Sequence, residues 1–307
     1  MSIKVVFLGT GGSIPTLKRG LPAVLVERWG EQIMFDCGEG VQRQMMIIRE
    51  GFHKKMKIFI THMHGDHVLG LPGLLQTMAM LNREKKLEIY GPLGITRFLE
   101  CVRETLQFGL TFPVEIHEIE KPGVVCEEAE YTVKAVRSNH AVPSLCYAFI
   151  EKPRPGRFST KKAFALGLPE GPLWSRLQHG QKVKLPNGKD VRPEQVLGST
   201  RRGRKIVYTG DTKPFRTLVR FAADADLLIH DATLDDNLAE RAREDGHSTP
   251  TQAAIAAKKA GVKQLILTHI SARYENAEIL VKQARRLFKK TQAAEDFMVI
   301  ELPLPDD

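Results

Sequence analysis

Residues 61–67 of this 307-residue chain, Thr61-His62-Met63-His64-Gly65-Asp66-His67, put three imidazoles and a carboxylate directly after the apolar segment Met56-Lys57-Ile58-Phe59-Ile60. Hydrophobic cores do not collect such groups, but metal sites do. Imidazole is the commonest nitrogen donor to borderline cations such as Zn²⁺, and an adjacent carboxylate lowers the charge of the complex and can take a proton. The apolar segment reads as a buried strand, Gly65 permits a sharp turn after it, and Gly70-Leu71-Pro72 opens an amphipathic helix with Pro in its first turn. Two His two positions apart at a strand end point the same way, while Asp66 and His67 come from the turn that follows. One loop can therefore face two metal positions, and the expected chemistry is metal-assisted hydrolysis. The fold must deliver the missing ligands from elsewhere.

Three other apolar, β-branched segments supply them. Tyr131–Val136 runs toward His140, Lys205–Gly210 delivers Asp211, and Gln264–Thr268 delivers His269. In an open α/β fold the carboxyl ends of strands share one edge, where sites are built.

With these residues in place the chain resembles the metallo-β-lactamase superfamily, marked by His-x-His-x-Asp-His followed by a later His, a bridging Asp and a last His. The resemblance runs from Val5-Val6-Phe7-Leu8-Gly9 and Phe35-Asp36-Cys37-Gly38-Glu39-Gly40 to Leu267-Thr268-His269. Within the superfamily the chain is similar to the tRNase Z family of endonucleases, which trim the 3′ trailer of precursor tRNA. Two motifs carry that narrower match, Gly246-His247-Ser248-Thr249 and Leu267-Thr268-His269-Ile270-Ser271-Ala272-Arg273-Tyr274.

The resemblance implies an α/β fold, an αββα sandwich, and two Zn²⁺ per subunit. One would be held by His62, His64 and His140, the other by Asp66, His67 and His269, with Asp211 as the bridge. His and carboxylate ligands also accept Mn²⁺, Fe²⁺ or Co²⁺. Two cations sharing a water can generate the nucleophile for in-line phosphoryl displacement, with Asp66 orienting it and accepting its proton. The departing ribose 3′-oxygen needs a proton donor, and His247 fits. It precedes Thr249-Pro250-Thr251-Gln252, which reads as N-cap, first-turn Pro and capping-box Gln of the helix Ala253–Ala260. Asp231, in His230-Asp231-Ala232-Thr233, stands where the family carries Glu, and its shorter side chain predicts a weaker or water-mediated hold on His247. Ser248, Thr249 and Arg273 are the expected substrate contacts beside the metals. His230 reads as structural, and His53, His117 and His179 as surface residues.

The net charge of +9 is concentrated in one place: residues 151–205 hold fourteen Lys and Arg against four Asp and Glu. This stretch is rich in Pro and Gly and lacks strong apolar periodicity, so it reads as a protruding basic arm inserted into a single domain spanning 1–307. Its cations can neutralise phosphates with little sequence preference. The resemblance places there a flexible, tRNA-binding arm whose Gly-Pro motif matches Gly171-Pro172, and it implies a homodimer in which one subunit's arm holds tRNA for the other's site. Arg201-Arg202-Gly203-Arg204-Lys205 reads as a phosphate contact or the solvated root of the arm.

With 42% hydrophobic and 26% charged residues the chain can bury a sizeable core, and no segment approaches the roughly 18 apolar residues of a membrane span. The N-terminus enters the strand Ile3–Leu8 without a signal peptide, and Cys37, Cys101, Cys126 and Cys146 form no Cys-x-x-Cys pair; both features suit a soluble cytoplasmic protein. A precursor-tRNA endoribonuclease is the function expected, with a broader metal-dependent phosphodiesterase or nuclease of the same superfamily as the alternative. Small-molecule hydrolases have no need of a basic arm.

Overall fold

In the computed structural model, which describes residues 2–304, alternate residues of each long strand belong to different cores. Ile3, Val5 and Phe7 of strand Ile3–Gly9 face one apolar cluster, while Val6 and Leu8 face a second. Further along, Tyr208, Ile229 and Ile266 join the first cluster, and Val207, Leu228 and Leu267 a third. Strands buried on both faces must lie in a sheet covered on both sides.

Two seven-stranded sheets meet this requirement. The first has the order Val299–Leu302, Ile3–Gly9, Ala23–Arg28, Glu31–Phe35, Lys55–Phe59, Leu87–Gly91, Val114–Glu118. Its pairing is antiparallel as far as Glu31–Phe35 and parallel beyond. The second has the order Thr291–Ala293, Leu265–Thr268, Leu227–Asp231, Lys205–Tyr208, Leu145–Glu151, Tyr131–Arg137, Gly123–Glu127. Its first four strands run parallel, which brings Asp231, at the end of its strand, and Asp211 and His269, just beyond theirs, to one edge.

Between the sheets Phe35, Phe59, Tyr147 and Tyr208 pack ring against ring, with centroids 5.5–5.9 Å apart. Helices Val41–Ile47, Gly70–Met80 and Ile95–Leu106 cover the outer face of the first sheet. Arg216–Phe221, Pro250–Ala260 and Glu278–Arg285 cover that of the second. This is the αββα sandwich expected. No helix among the described residues is long and apolar enough to cross a membrane.

One compact unit comprises the chain up to Ile150 together with Lys205–Pro303; Glu151–Arg204 make another. The second has a core of its own, formed by Ala163, Leu168, Leu177, Val183, Leu185, Val191 and Val196. Trp174 sits between Phe158 and Phe164 on its flank. Its apolar residues are spread over two short helices, Thr160–Ala165 and Pro172–Gln178, and the hairpin Val183–Lys184/Asp190–Val191. Gly171 and Pro172 sit at the start of the second helix, as N-cap and first residue. The two ends of the unit are clamped by an ion pair, Arg204 Nε and Nη2 donating to Glu151 Oε2 and Oε1 at 2.7 and 2.8 Å. Arg204 is fully buried, which corrects its reading as a solvated root or phosphate contact.

Candidate metal centre

Four of the five imidazoles in the two ligand groups are aimed by the hydrogen bond their other nitrogen makes. Nδ1 of His62 lies 2.9 Å from Thr61 Oγ1, Nδ1 of His67 2.7 Å from Asp36 Oδ2, Nδ1 of His140 2.9 Å from the Gly246 carbonyl, and Nδ1 of His269 2.8 Å from Thr233 Oγ1. These acceptors assign the tautomers and leave four Nε2 lone pairs facing inward. His64 is the exception, since it turns Nδ1 into the site.

The inward atoms form two groups that share Asp211. In the first, His64 Nδ1 lies 3.0 Å from His62 Nε2 and 3.3 Å from His140 Nε2, while Asp211 Oδ2 is 3.7 and 4.0 Å from the same two nitrogens. In the second, Asp211 Oδ1 is 3.4 Å from His67 Nε2 and its Oδ2 3.3 Å from His269 Nε2; Asp66 Oδ2 is 3.6 and 3.3 Å from those nitrogens. Donors around one tetrahedral Zn²⁺, bound at about 2.0–2.1 Å, lie roughly 3.3 Å from one another. The observed spacings bracket that value, so the donor set fits a cation in each group.

Two further observations support the fit. His67 Nε2 and Asp211 Oδ1 are buried without a hydrogen-bond partner, a costly arrangement that a cation would relieve. Burial and the neighbouring His67 push His62 down to about 2, so it is neutral, as a ligand must be, at any working pH. Burial opposes charge on His67 too, yet Asp211 and Asp36 hold its pKa well above the ordinary histidine range, and a cation bound at Nε2 would displace that proton. Burial likewise opposes ionisation of Asp66, but His269 and His67 hold it well below the carboxylate range. The site is built to favour positive charge between its carboxylates.

His247 stands beside this centre with its proton position fixed. Its Nδ1 lies 3.0 Å from Asp231 Oδ2, so the expected weak or water-mediated contact is instead direct. The missing methylene is made good by the backbone: strand Leu227–Asp231 ends against Thr212, Thr233 and Ser248, whose amides donate to the same carboxylate at 3.0–3.3 Å. Burial would lower the His247 pKa, but the Asp231 charge and hydrogen bond raise it to about 9. Thr233 Oγ1 bonds both Asp231 (2.6 Å) and His269 Nδ1, linking the His247–Asp231 pair to a candidate ligand. A cavity of about 650 Å³ opens over the site, lined among others by His64, Asp66, His140, Asp211, His247 and Arg273.

Comparison with known proteins gives the family. Residues 3–156 match the family model described as anti-Pycsar protein Apyc1, and residues 174–270 the beta-lactamase superfamily domain. The chain is 49% identical over 303 residues to the ribonuclease Z of Methanosarcina acetivorans, with 98% of each chain covered. It belongs to the ribonuclease Z family. A second family member, from Myxococcus xanthus, is 43% identical over 306 residues, with 99% of each covered. The crystal structure of human tRNase Z, short form, is similar with a TM-score of 0.72 at 32% identity, covering 99% of this chain and 100% of that one.

Several residues of this ribonuclease Z family member hold positions that sequence reasoning did not assign. Asp36 is the largest omission. Fully buried, it accepts from Thr61 N, Thr61 Oγ1, His67 Nδ1 and Tyr208 OH at 2.7–2.9 Å, and so fixes two of the metal-facing residues at once. Ser13 donates its amide to Asp66 Oδ2 at 2.8 Å. Two expected substrate contacts are corrected: Ser248 and Thr249 are buried and committed elsewhere, Ser248 Oγ to the Thr212 carbonyl and Thr249 Oγ1 to the helix N-terminus as its cap. Arg273 remains on the cavity wall. His117 stacks on Tyr90 with ring centroids 4.4 Å apart, and His230 donates Nδ1 to the Asp231 carbonyl from inside the fold.

Proposed function

We propose that this enzyme is a zinc-dependent endoribonuclease that removes the 3′ trailer from precursor tRNA, leaving a tRNA 3′-hydroxyl and a 5′-phosphate on the trailer. The observation that carries the proposal is the pair of ligand groups sharing Asp211, next to a buried His247–Asp231 acid, in a chain of the ribonuclease Z family. His62, His64, His140 and Asp211 would hold one cation, and Asp66, His67, His269 and Asp211 the other. Bound there, the two would supply Lewis acidity and a water of near-neutral pKa for in-line displacement at phosphorus.

The protein's own groups do the rest. Asp66, steadied by the Ser13 amide, orients the attacking water and accepts its proton. His247 is protonated at neutral pH because Asp231 holds its Nδ1–H, and it gives the Nε2 proton to the departing 3′-oxygen, which leaves poorly as an alkoxide. Arg273 offers a cation to the RNA backbone at the cavity wall. The basic unit Glu151–Arg204, with Gly171 and Pro172 at a helix start, binds tRNA phosphates in a salt-dependent manner. Leu17 and Ile47, exposed along one cleft, support a homodimer, and the free cysteines suit a cytoplasmic enzyme.

Incubating purified protein with a precursor tRNA, with and without chelator, and mapping both product ends tests the reading. The expected result is one metal-dependent cut after the acceptor stem, with two equivalents of zinc per chain by elemental analysis. Cleavage scattered along unstructured RNA or DNA with equal efficiency would favour the broader phosphodiesterase instead.

A further inference from the structure

Helix Ala239–Asp245 brings a second arginine to the cavity over the metal centre. Arg241 and Asp245 line the same cavity as His140 and His247, whereas Arg243, on the same helix, pairs with Glu240 and does not line it. The placement is rigid. Ala242 is fully buried, its carbonyl accepts the His247 amide at 2.7 Å, and the next carbonyl but three, that of Gly246, accepts from His140 Nδ1.

The contact that Arg241 makes is a poor one for a structural ion pair. Only Nε meets Asp245 Oδ2, at 3.3 Å, with the two side chains 56% and 49% exposed. The basic residue precedes the acidic one by four positions, the weaker order on a helix. A guanidinium held by one nitrogen keeps the rest of its donor fork for another anion. The substrate brings a row of them.

We propose that Arg241 binds the phosphate next to the scissile one on the side of the leaving 3′-oxygen, and that Asp245 competes with that phosphate for the guanidinium. The side follows from the chain: Arg241 and His247 belong to one segment, and His247 serves the leaving oxygen, which belongs to the last tRNA nucleotide. The proposal rests on the endoribonuclease reading above, including the role given there to His247.

Binding of mature tRNA ending in a 3′-hydroxyl tests it without requiring cleavage. Affinities are measured for the wild type, Arg241→Ala, Asp245→Asn, the double variant and Arg243→Ala. A second tRNA carries an uncharged methylphosphonate at its last internucleotide linkage. Arg241→Ala should weaken binding about tenfold, the scale of one charge-assisted contact, and Arg243→Ala less than about twofold, as expected of an exposed pair. Asp245→Asn should tighten binding, an effect that disappears when Arg241 is absent. On the methylphosphonate tRNA, wild type and Arg241→Ala should bind alike. Equal weakening by Arg241→Ala and Asp245→Asn would mark a merely structural helix pair and overturn the proposal, as would an Arg241→Ala loss that survives on the methylphosphonate tRNA. Failure of the endoribonuclease reading shows separately, as wild-type protein with zinc leaving precursor tRNA intact.

Discussion

A single methyl group added at Gly12 should damage the metal centre from outside it. A Cβ built there would lie 2.5 Å from His269 Nδ1 and 2.6 Å from its Cε1. Carbon contacts settle near 3.5 Å or beyond, so the ring must retreat by about 1 Å. Neither partner has an easy way to yield. Gly12 pairs with Ser271 in the short ladder Gly11–Gly12/Ile270–Ser271, Ile270 N bonds Thr10 O at 2.9 Å, and Thr268 O accepts from Ala232 N at 3.0 Å, so the backbone is pinned on both sides of His269. The imidazole itself is tied to Thr233 Oγ1 at 2.8 Å, and the residue sits at φ 59°. In Gly12→Ala we expect zinc affinity at the Asp66, His67, His269 position to fall about 10- to 100-fold, in line with losses of ligand orientation. Single-turnover cleavage should fall about 100-fold, the scale of a 1 Å misplacement and worth about 2.7 kcal/mol. Competition with a fluorescent chelator reads the first quantity and precursor-tRNA cleavage the second. Gly51→Ala, where a Cβ meets nothing within 4 Å, is the control. A Gly12→Ala enzyme that binds both metals and cleaves within about threefold of the wild type would refute the packing argument.

Asp36→Asn should lower metal affinity about 10- to 100-fold, because an amide cannot accept from His67 and both Thr61 donors at once; chelator titration measures this. In Asp231→Asn turnover should fall about 10²- to 10⁴-fold with tRNA affinity kept. With Asp231 the His247 imidazolium persists to pH about 9, and without it burial draws the pKa down, so the deficit should widen as pH rises; a pH–rate profile with parallel limbs would contradict this. Lys57, buried between Glu88 and Glu128 at 2.7 and 2.9 Å, gives an acid-dependent contribution to stability. Burial would raise Glu88, but Lys57 lowers it from 4.5 to about 2, so the contribution is complete above pH 4.5 and fades as pH falls toward 2. After discounting for solvent screening, Lys57→Met should cost about 1–2 kcal/mol at pH 7, several degrees in melting temperature, and the gap should close at low pH. Replacing Glu151–Arg204 by a short linker should flatten the slope of log affinity against log salt for tRNA while sparing hydrolysis of a minimal phosphodiester.

The candidate ligands were legible because each lies at or just beyond the end of an apolar segment, where residue type and position carry separate information. The helix start at Thr249 was legible for a similar reason: the Thr-Pro-x-Gln order states a local geometry, and the capping box forms with Gln252 Oε1 accepting the Thr249 amide at 2.9 Å. That local job also explains why Thr249 was misread as a substrate contact. Its hydroxyl accepts at the helix start and the side chain is buried, outside the cavity lining.

What stayed hidden depends on contacts between distant segments. Asp36 is one acid after the strand Glu31–Phe35, with no spacing that ties it to Thr61 or to Tyr208, 172 positions away. Its left-handed backbone, φ 58°, is one that Asp tolerates without announcing it. Ser13 acts through its amide, which any residue except Pro would provide, so its identity says nothing of its role. Gly12 is needed for the absence of a side chain, against a ring that lies 257 positions further on. The orienting layer of this site is thus written largely in backbone atoms, buried single carboxylates and empty space, while the ligand layer is written in residue type. Chemistry is recoverable from the second; precision comes from the first, which is why mutations at Gly12 and Asp36 test the mechanism more sharply than removal of another histidine.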